Sequence, residues 1–319
     1  MRKLDRARSI VAFSITLFAS AAQSQEAAPQ ELLTRMSAAL RSSDFQGSFI
    51  YQHDGRVDAL RIFHLGGERE RERLVSLTGE RSEIVRDGDT ITCVQTGTVP
   101  TLFANRADPR LLPLVPNVHA LGAQYSVAAG GEDRVAGYGA RVIDVSPRDP
   151  YRYGYRLWLD LNSHLLLRSA VVDAAQRPLE QFMFVALDVG EKPNDTDLLA
   201  SESIAAASAP ADEVRVNSKP LWTIAQAPAG FRLVRTQRPS EAGTQTEHLV
   251  YSDGVASVSI YVEPRADSAA SVTAESTTRR GVLSIYSRSD ARMHVTALGD
   301  VPPITVQTMG RSVEASGGR

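Results

Sequence analysis

"FIYQHDGRVDALRIFHLG", residues 49–66, alternates apolar and polar side chains on either side of an Asp-Gly pair. The pattern is that of two antiparallel strands joined by a two-residue turn at Asp54-Gly55. Such a turn sets the register, placing His53 opposite Arg56 and Phe49 opposite Leu60. His64 then lies well along the return strand, and the two imidazoles stand roughly 26 Å apart at ~3.3 Å per residue. One metal ion cannot bind both, so no metal site is expected on this ribbon. One face carries Phe49, Tyr51, Leu60 and Ile62, and the other carries Ile50, Val57, Ala59, Phe63 and Leu65. A sheet with one wet face would be polar at every second position. Both faces are therefore expected to be covered, one by helix and loop, the other by the curvature of the sheet or by an apolar ligand. A plain two-layer core explains the pattern without a cavity, and pattern alone favours it.

Working outward, "QELLTRMSAALRSS" spaces Leu32, Leu33, Met36, Ala39 and Leu40 for one amphipathic helix ahead of the hairpin. Downstream, Gly66-Gly67, Thr78-Gly79 and Asp87-Gly88 punctuate an antiparallel meander. Residues 97–122 are too rich in proline and glycine for regular structure and read as a long loop with one helical turn. "GYGARV" at Gly137 and Gly139 opens no helix and reads as a turn rather than a dinucleotide fingerprint. Strand signals resume in "GARVIDVSP", "YGYRLWLDL", "HLLLRSAVVD" and "LEQFMFVALDVG". Residues 190–215 lose β-branched alternation in favour of Ala, Ser, Asp and Pro, which marks a boundary. As a flexible chain they would span roughly 28 Å. Beyond them "GFRLVRTQ", "TEHLVYSDGVASVSIYVEP", "RRGVLSIYS" and "ARMHVTALG" carry strands, and a terminal helix is expected from Pro302.

The N-terminus has the three parts of a signal peptide: basic residues Arg2, Lys3, Arg6 and Arg8, an apolar run from Ile10 to Phe18, then small residues. The run is about half of the ~20 apolar residues that spanning requires. The expected division is a signal peptide at 1–24, a larger domain at 25–190, a linker at 191–215 and a smaller domain at 216–319. Cys93 is the sole cysteine, which excludes an intramolecular disulfide, and in "TITCV" it reads as a strand residue rather than a nucleophile. Basic residues are almost all arginine, a bias that base composition explains and that also suits bidentate contacts with phosphate or carboxylate. A net charge of -2 argues against nucleic acid as a partner.

Chemistry-bearing motifs are missing from the sequence: there is no G-x-S-x-G, H-E-x-x-H, Walker loop or C-x-x-C. His119, His164, His248 and His294 lack ligand spacing, so neither a catalytic residue, a metal nor a cofactor is expected. "ERERERL" (68–74) puts Glu68, Glu70 and Glu72 on one strand face and Arg69, Arg71 and Arg73 on the other, which reads as a solvated edge that resists strand addition. In "LVYSDGVASVSIYVE", Leu249, Tyr251, Val258, Ile260 and Val262 share a core face. Val250, Ser257, Ser259 and Tyr261 share the opposite one, a candidate for receiving a partner segment by groove or edge pairing, or an ordinary solvated face.

"DFQGSFIYQ", "ERLVSLTGERSEIVRDGD", "GFRLVRTQ" and "EHLVYSDGVASVSIYVE" resemble the MucB/RseB family, in the same order and through both expected domains. The resemblance implies an α+β protein: a large curved antiparallel half-barrel with helices, like the lipoprotein carriers LolA and LolB, followed by a smaller α+β C-terminal domain. It implies a periplasmic negative regulator of the extracytoplasmic stress sigma factor. Such a protein would bind the periplasmic segment of a MucA- or RseA-like anti-sigma factor, shield it from the first regulatory protease, and release it in response to lipid or lipopolysaccharide. Phe49, Tyr51, Leu60 and Ile62 then become candidates for a lipid cavity. A dozen buried acyl carbons would contribute roughly 10 kcal/mol at about 0.8 per methylene, before ordering costs. A lipoprotein or lipid carrier is the alternative, although it has no evident need of a second domain. An enzyme acting on envelope lipids is disfavoured, and a homo-oligomer is left open.

Overall fold

The computed structural model describes residues 27–95, 111–112, 114–201, 220–238, 246–265 and 274–316. The expected signal peptide lies outside them, as do residues 97–110 of the long loop and 202–215 of the expected linker.

Helix α1 (Pro29–Ser42) starts on a proline, which suits the first helical turn, and buries Leu32, Leu33, Met36, Ala39 and Leu40 on one stripe. The strands that follow are β1 (Phe45–His53), β2 (Arg56–Leu65), β3 (Arg71–Ser76), β4 (Ser82–Asp87), β5 (Thr90–Gln95), β6 (Tyr125–Val135), β7 (Tyr138–Pro147), β8 (Gly154–Asp160), β9 (Leu166–Val172) and β10 (Pro178–Val189). The β1–β2 turn has φ of 46° at Asp54 and 73° at Gly55, the left-handed pair that matches strand twist. Its register is the expected one, with Phe49 opposite Leu60 and His53 opposite Arg56. Of "GYGARV", Gly137 lies with Ala136 in the β6–β7 turn as expected, whereas Gly139 and the residues after it belong to β7.

These strands form one open ten-stranded sheet in the order β5-β4-β3-β2-β1-β10-β9-β8-β7-β6. Two meanders are thus joined where β1 meets β10. A single buried cluster unites α1 with side chains from both meanders, so the sheet wraps around the helix.

Within "ERERERL", Glu68 and Arg69 are exposed as expected, but from Arg71 onward the stretch departs from a solvated edge. β3 is an interior strand, paired on both sides. Alternation still separates the charges, but both faces are covered. On the inner face Glu72 is 2% exposed and Arg86 5%, with Arg86 Nε donating to Glu72 at 2.8 Å and Nη2 to Glu70 at 2.6 Å. On the outer face Arg73 donates to Glu83 at 3.1 Å and to the Asp197 carbonyl at 3.2 Å. Residues 195–201, expected to be structureless, lie on this face: Asp195–Leu198 form a 3-10 turn, Leu198 is buried, and Ser201 N–H donates to Glu83. Compensation across strands is what allows such charges to be buried.

The C-terminal part holds β11 (Trp222–Ile224), β12 (Arg232–Gln237), β13 (Glu247–Ser252), β14 (Ser257–Pro264), β15 (Ala274–Arg280), β16 (Leu283–Ser289), β17 (Met293–Gly299), α2 (Pro303–Arg311) and β18 (Val313–Ala315). Six of the strands form an antiparallel sheet in the order β12-β13-β14-β17-β16-β15, and β11 pairs with β18. The second cluster joins Leu249, Tyr251, Val258, Ile260 and Val262 to Val306 and Met309 of α2. The helix therefore covers one face of this sheet.

Candidate functional site

Three features of the fold bear on function: the inner face of the large sheet, the helix-free face of the small sheet, and the seam between them.

On the inner face, Phe49, Tyr51, Leu60 and Ile62 are 1, 3, 8 and 0% exposed. Phe49 meets the edges of Phe182 and Phe184 at ring-centre distances of 5.8 and 5.7 Å. The cover is α1 together with Leu111, Leu112, Leu114 and Leu121. Ser169 Oγ–H donating to the Leu114 carbonyl at 2.7 Å, and Leu111 N–H donating to Glu72 at 3.3 Å, pin that cover. An apolar ligand reaches these four side chains only when α1 or the 111–121 segment moves. Neither histidine of the opening stretch approaches a metal set. His64 is fully buried, stacked on Phe45 at 4.5 Å, with Nδ1 2.8 Å from the Ser43 carbonyl. His53 stacks on Tyr51 and pairs with Asp58. No three of His, Cys, Asp and Glu converge as metal ligands among the described residues.

On the small sheet, Val250, Ser257, Ser259 and Tyr261 share the face turned away from α2. Val250 is 9% exposed, Ser259 and Tyr261 are half-buried, and Ser257 is exposed. Tyr261 stacks on His248 with ring centres 4.2 Å apart and planes 7° apart. Gln237 Oε1 lies 3.2 Å from His248 Nδ1. Loss of water around His248, reinforced by the Arg235 charge, pushes its pKa down to about 4, so at neutral pH the ring is uncharged. Farther along the face, His294 sits between the Ser289 hydroxyl at 2.5 Å and the Thr296 hydroxyl at 3.3 Å. The face offers one flat aromatic stack among hydroxyls and amides.

The seam centres on Arg152, whose side chain is fully buried. Its guanidinium donates to Asp253, itself 3% exposed, to Asp149 and to the Ala229 carbonyl, and lies 4.7 Å above the Phe231 ring. A second link runs through Glu180, which accepts the Tyr51 hydroxyl at 2.5 Å and the Val282 N–H at 3.0 Å. Gly281 beside it has φ of +57°, and a Cβ there would collide with the Glu180 carboxylate. Thr305 Oγ–H donates to the Tyr151 carbonyl at 2.8 Å, and Arg280 pairs with Asp54 at 3.1 Å. Sequence reasoning named Tyr51 and Asp54 in other roles and missed the rest of the seam. Arg152 and Asp253 are about a hundred positions apart, and nothing in "RDPYRYGY" distinguishes a buried arginine from a solvated one.

Two antiparallel sheets, a helix-free face and a polar seam are the surfaces that the described residues offer for binding. The chain belongs to the MucB/RseB family: the MucB/RseB N-terminal domain matches residues 28–204, and the MucB/RseB C-terminal domain matches residues 216–314. Among curated relatives, the sigma factor AlgU regulatory protein MucB of Pseudomonas aeruginosa is 31% identical over 91% of this chain and 92% of its own length. The sigma-E factor regulatory protein RseB of Escherichia coli K12 is 30% identical over 98% of both. Among solved structures, MucB in complex with MucA(peri) superimposes with a TM-score of 0.73 at 28% identity, over 91% of this chain and all of that one. The Pseudomonas aeruginosa MucA/MucB complex gives 0.74 at 29% identity, over 91% of this chain and 99% of that one. No helix among the described residues is long and apolar enough to cross a membrane.

Proposed function

We propose that the chain is exported to the periplasm and there binds the periplasmic segment of a MucA- or RseA-like anti-sigma factor, shielding it from the first regulatory protease. It acts by binding and not by catalysis. The observation that carries this reading is the match across nine-tenths of the chain, at a TM-score of 0.74, to a MucB held in complex with MucA. In this reading residues 1–24 are removed, 25–190 and 216–319 form the two domains, and 191–215 connect them. Two buried clusters support that division, the first reaching into residues 216–319 only at Val282 and Val255. The segment docks on the helix-free face of the small sheet around Val250, Ser257, Ser259 and Tyr261, a face with the aromatic and hydroxyl character enriched at interfaces. Lipid or lipopolysaccharide enters over Phe49, Tyr51, Leu60 and Ile62 by displacing α1 or the 111–121 segment, and this releases the partner.

A protection assay tests the reading. The anti-sigma periplasmic segment is exposed to its regulatory protease with and without the exported chain in excess. Cleavage should be suppressed by the chain and restored by lipopolysaccharide. Cleavage at the same rate with the chain present overturns the reading.

A further inference from the structure

Strand β15 is the outer strand of the six-stranded sheet, and among the described residues only β16 pairs with it. All seven of its side chains, Ala274–Arg280, are exposed, and its ladder to β16 runs without a register shift. A strand of that length, about 24 Å at ~3.4 Å per residue, presents unpaired N–H and C=O groups along its free side. Of the other outer strands, β5 is uninterrupted but carries no charge, whereas β12 and β6 are each interrupted by a register shift, between Leu233 and Arg235 and between Ala129 and Glu132. Such bulges blunt an edge against further pairing. β15 has neither bulge nor proline, and its centre is Ser276-Thr277-Thr278, residues that suit a strand.

Its charges are arranged to match themselves. When two copies of "AESTTRR" run antiparallel about Thr277, Glu275 faces Arg279 of the other copy, and the twofold axis repeats the pair. Ser276 faces Thr278, and Ala274 faces Arg280. Glu275 and Arg279 have the same parity on the strand, so each cross-copy pair forms on one sheet face. On that face Arg311 of α2 already holds Glu275 at 2.7 Å, which fixes the carboxylate in place and keeps it ionised. A one-residue slip would set the α2-covered face of one sheet beside the open face of the other, and a two-residue slip, the smallest that keeps the faces matched, loses both pairs in either direction, so charge selects among the matched registers.

We propose that β15 pairs antiparallel with β15 of a second copy of this chain, joining two six-stranded sheets into one continuous sheet centred on Thr277. The occupant is another copy because the charge pattern of the strand is its own complement. With seven residues a side and no large apolar group among them, the interface falls well below the standard size of protein–protein contacts. The dimer is therefore weak, reversible and dependent on concentration.

Sedimentation of the purified exported chain from about 1 to about 500 µM gives the association constant. The expected result is a monomer–dimer equilibrium. Glu275→Arg and Arg279→Glu should each weaken it by about tenfold or more, since each places like charges opposite one another twice. The double variant Glu275→Arg/Arg279→Glu restores both pairs and should recover most of the loss. Thermal melts and anti-sigma binding of each variant separate edge effects from misfolding. A chain that stays monomeric throughout overturns the proposal, as does a dimer indifferent to the single changes. Failure of a well-folded double variant to recover also overturns it. If the single variants lose the anti-sigma segment while self-association is unchanged, the edge belongs to the partner and the proposal fails.

Discussion

Replacing Arg152 by Ala removes the donor that three acceptors at the seam share: Asp253, Asp149 and the Ala229 carbonyl. Asp149, a quarter exposed, can turn to water, but Asp253 at 3% exposure cannot. Breaking a buried ion pair from one side costs about 3–5 kcal/mol, because the other charge is left without compensation. The contact with the Phe231 ring adds about 1 kcal/mol. With a urea m-value of about 2 kcal/mol/M, the midpoint should fall by roughly 2 M. The two tryptophans make the assay specific, since Trp158 lies in the large sheet and Trp222 in the strand pair beside the small one. Fluorescence of Trp158→Phe and Trp222→Phe variants then follows each sheet separately. In the native background the two transitions should coincide; with Arg152→Ala they should separate. Adding Asp253→Asn should recover part of the loss, because a neutral amide leaves no unpaired buried charge while its carbonyl oxygen still caps the N–H groups of Val255 and Ala256. A midpoint within about 0.5 M of the parent, with coincident transitions, would refute the buried seam.

Tyr51→Phe removes one of the donors to Glu180 and should cost about 1–2 kcal/mol. An unchanged thermal midpoint would mean that the carboxylate reaches water. His248 binds a proton less readily folded than unfolded, so its contribution to stability is intact above pH ~6.5 and is lost as pH falls toward 4. Allowing for partial exposure, the loss should be about 1–2 kcal/mol, and a His248→Asn variant should show a correspondingly flatter urea midpoint between pH 7 and pH 4. Tyr261→Ala should weaken anti-sigma binding by about tenfold while costing no more than about 1 kcal/mol of stability, the size of one aromatic stack. Unchanged affinity in titration calorimetry would return this face to solvent.

How much was legible in the sequence followed from how local each determinant is. The Asp54-Gly55 turn and the register it imposes were readable because both central residues accept positive φ and the flanking side chains alternate. Leu32, Leu33, Met36, Ala39 and Leu40 announced α1, and the parity of Leu249 to Val262 announced the core face of the small sheet, for the same reason. β15 escaped because an exposed edge has no apolar alternation to show, so the reading reached only its last two residues. The covering of Glu72 and Arg73 escaped because Arg86 and Glu83, which neutralise them, sit on the neighbouring strand. The seam was invisible for the same physical reason at greater range: Arg152 meets Asp253, and Glu180 meets Val282, only once both sheets have formed.

The most direct test is an equilibrium titration of the exported chain with the periplasmic segment of a MucA- or RseA-like anti-sigma factor, with and without saturating lipopolysaccharide. Saturable binding is expected without lipid, and a fall in affinity of about thirtyfold with it, equivalent to ~2 kcal/mol of coupling between the two sites. Equal affinities would leave a constitutive shield with no lipid switch. No measurable binding in either condition, by a chain that melts cooperatively, would contradict the function proposed for this fold.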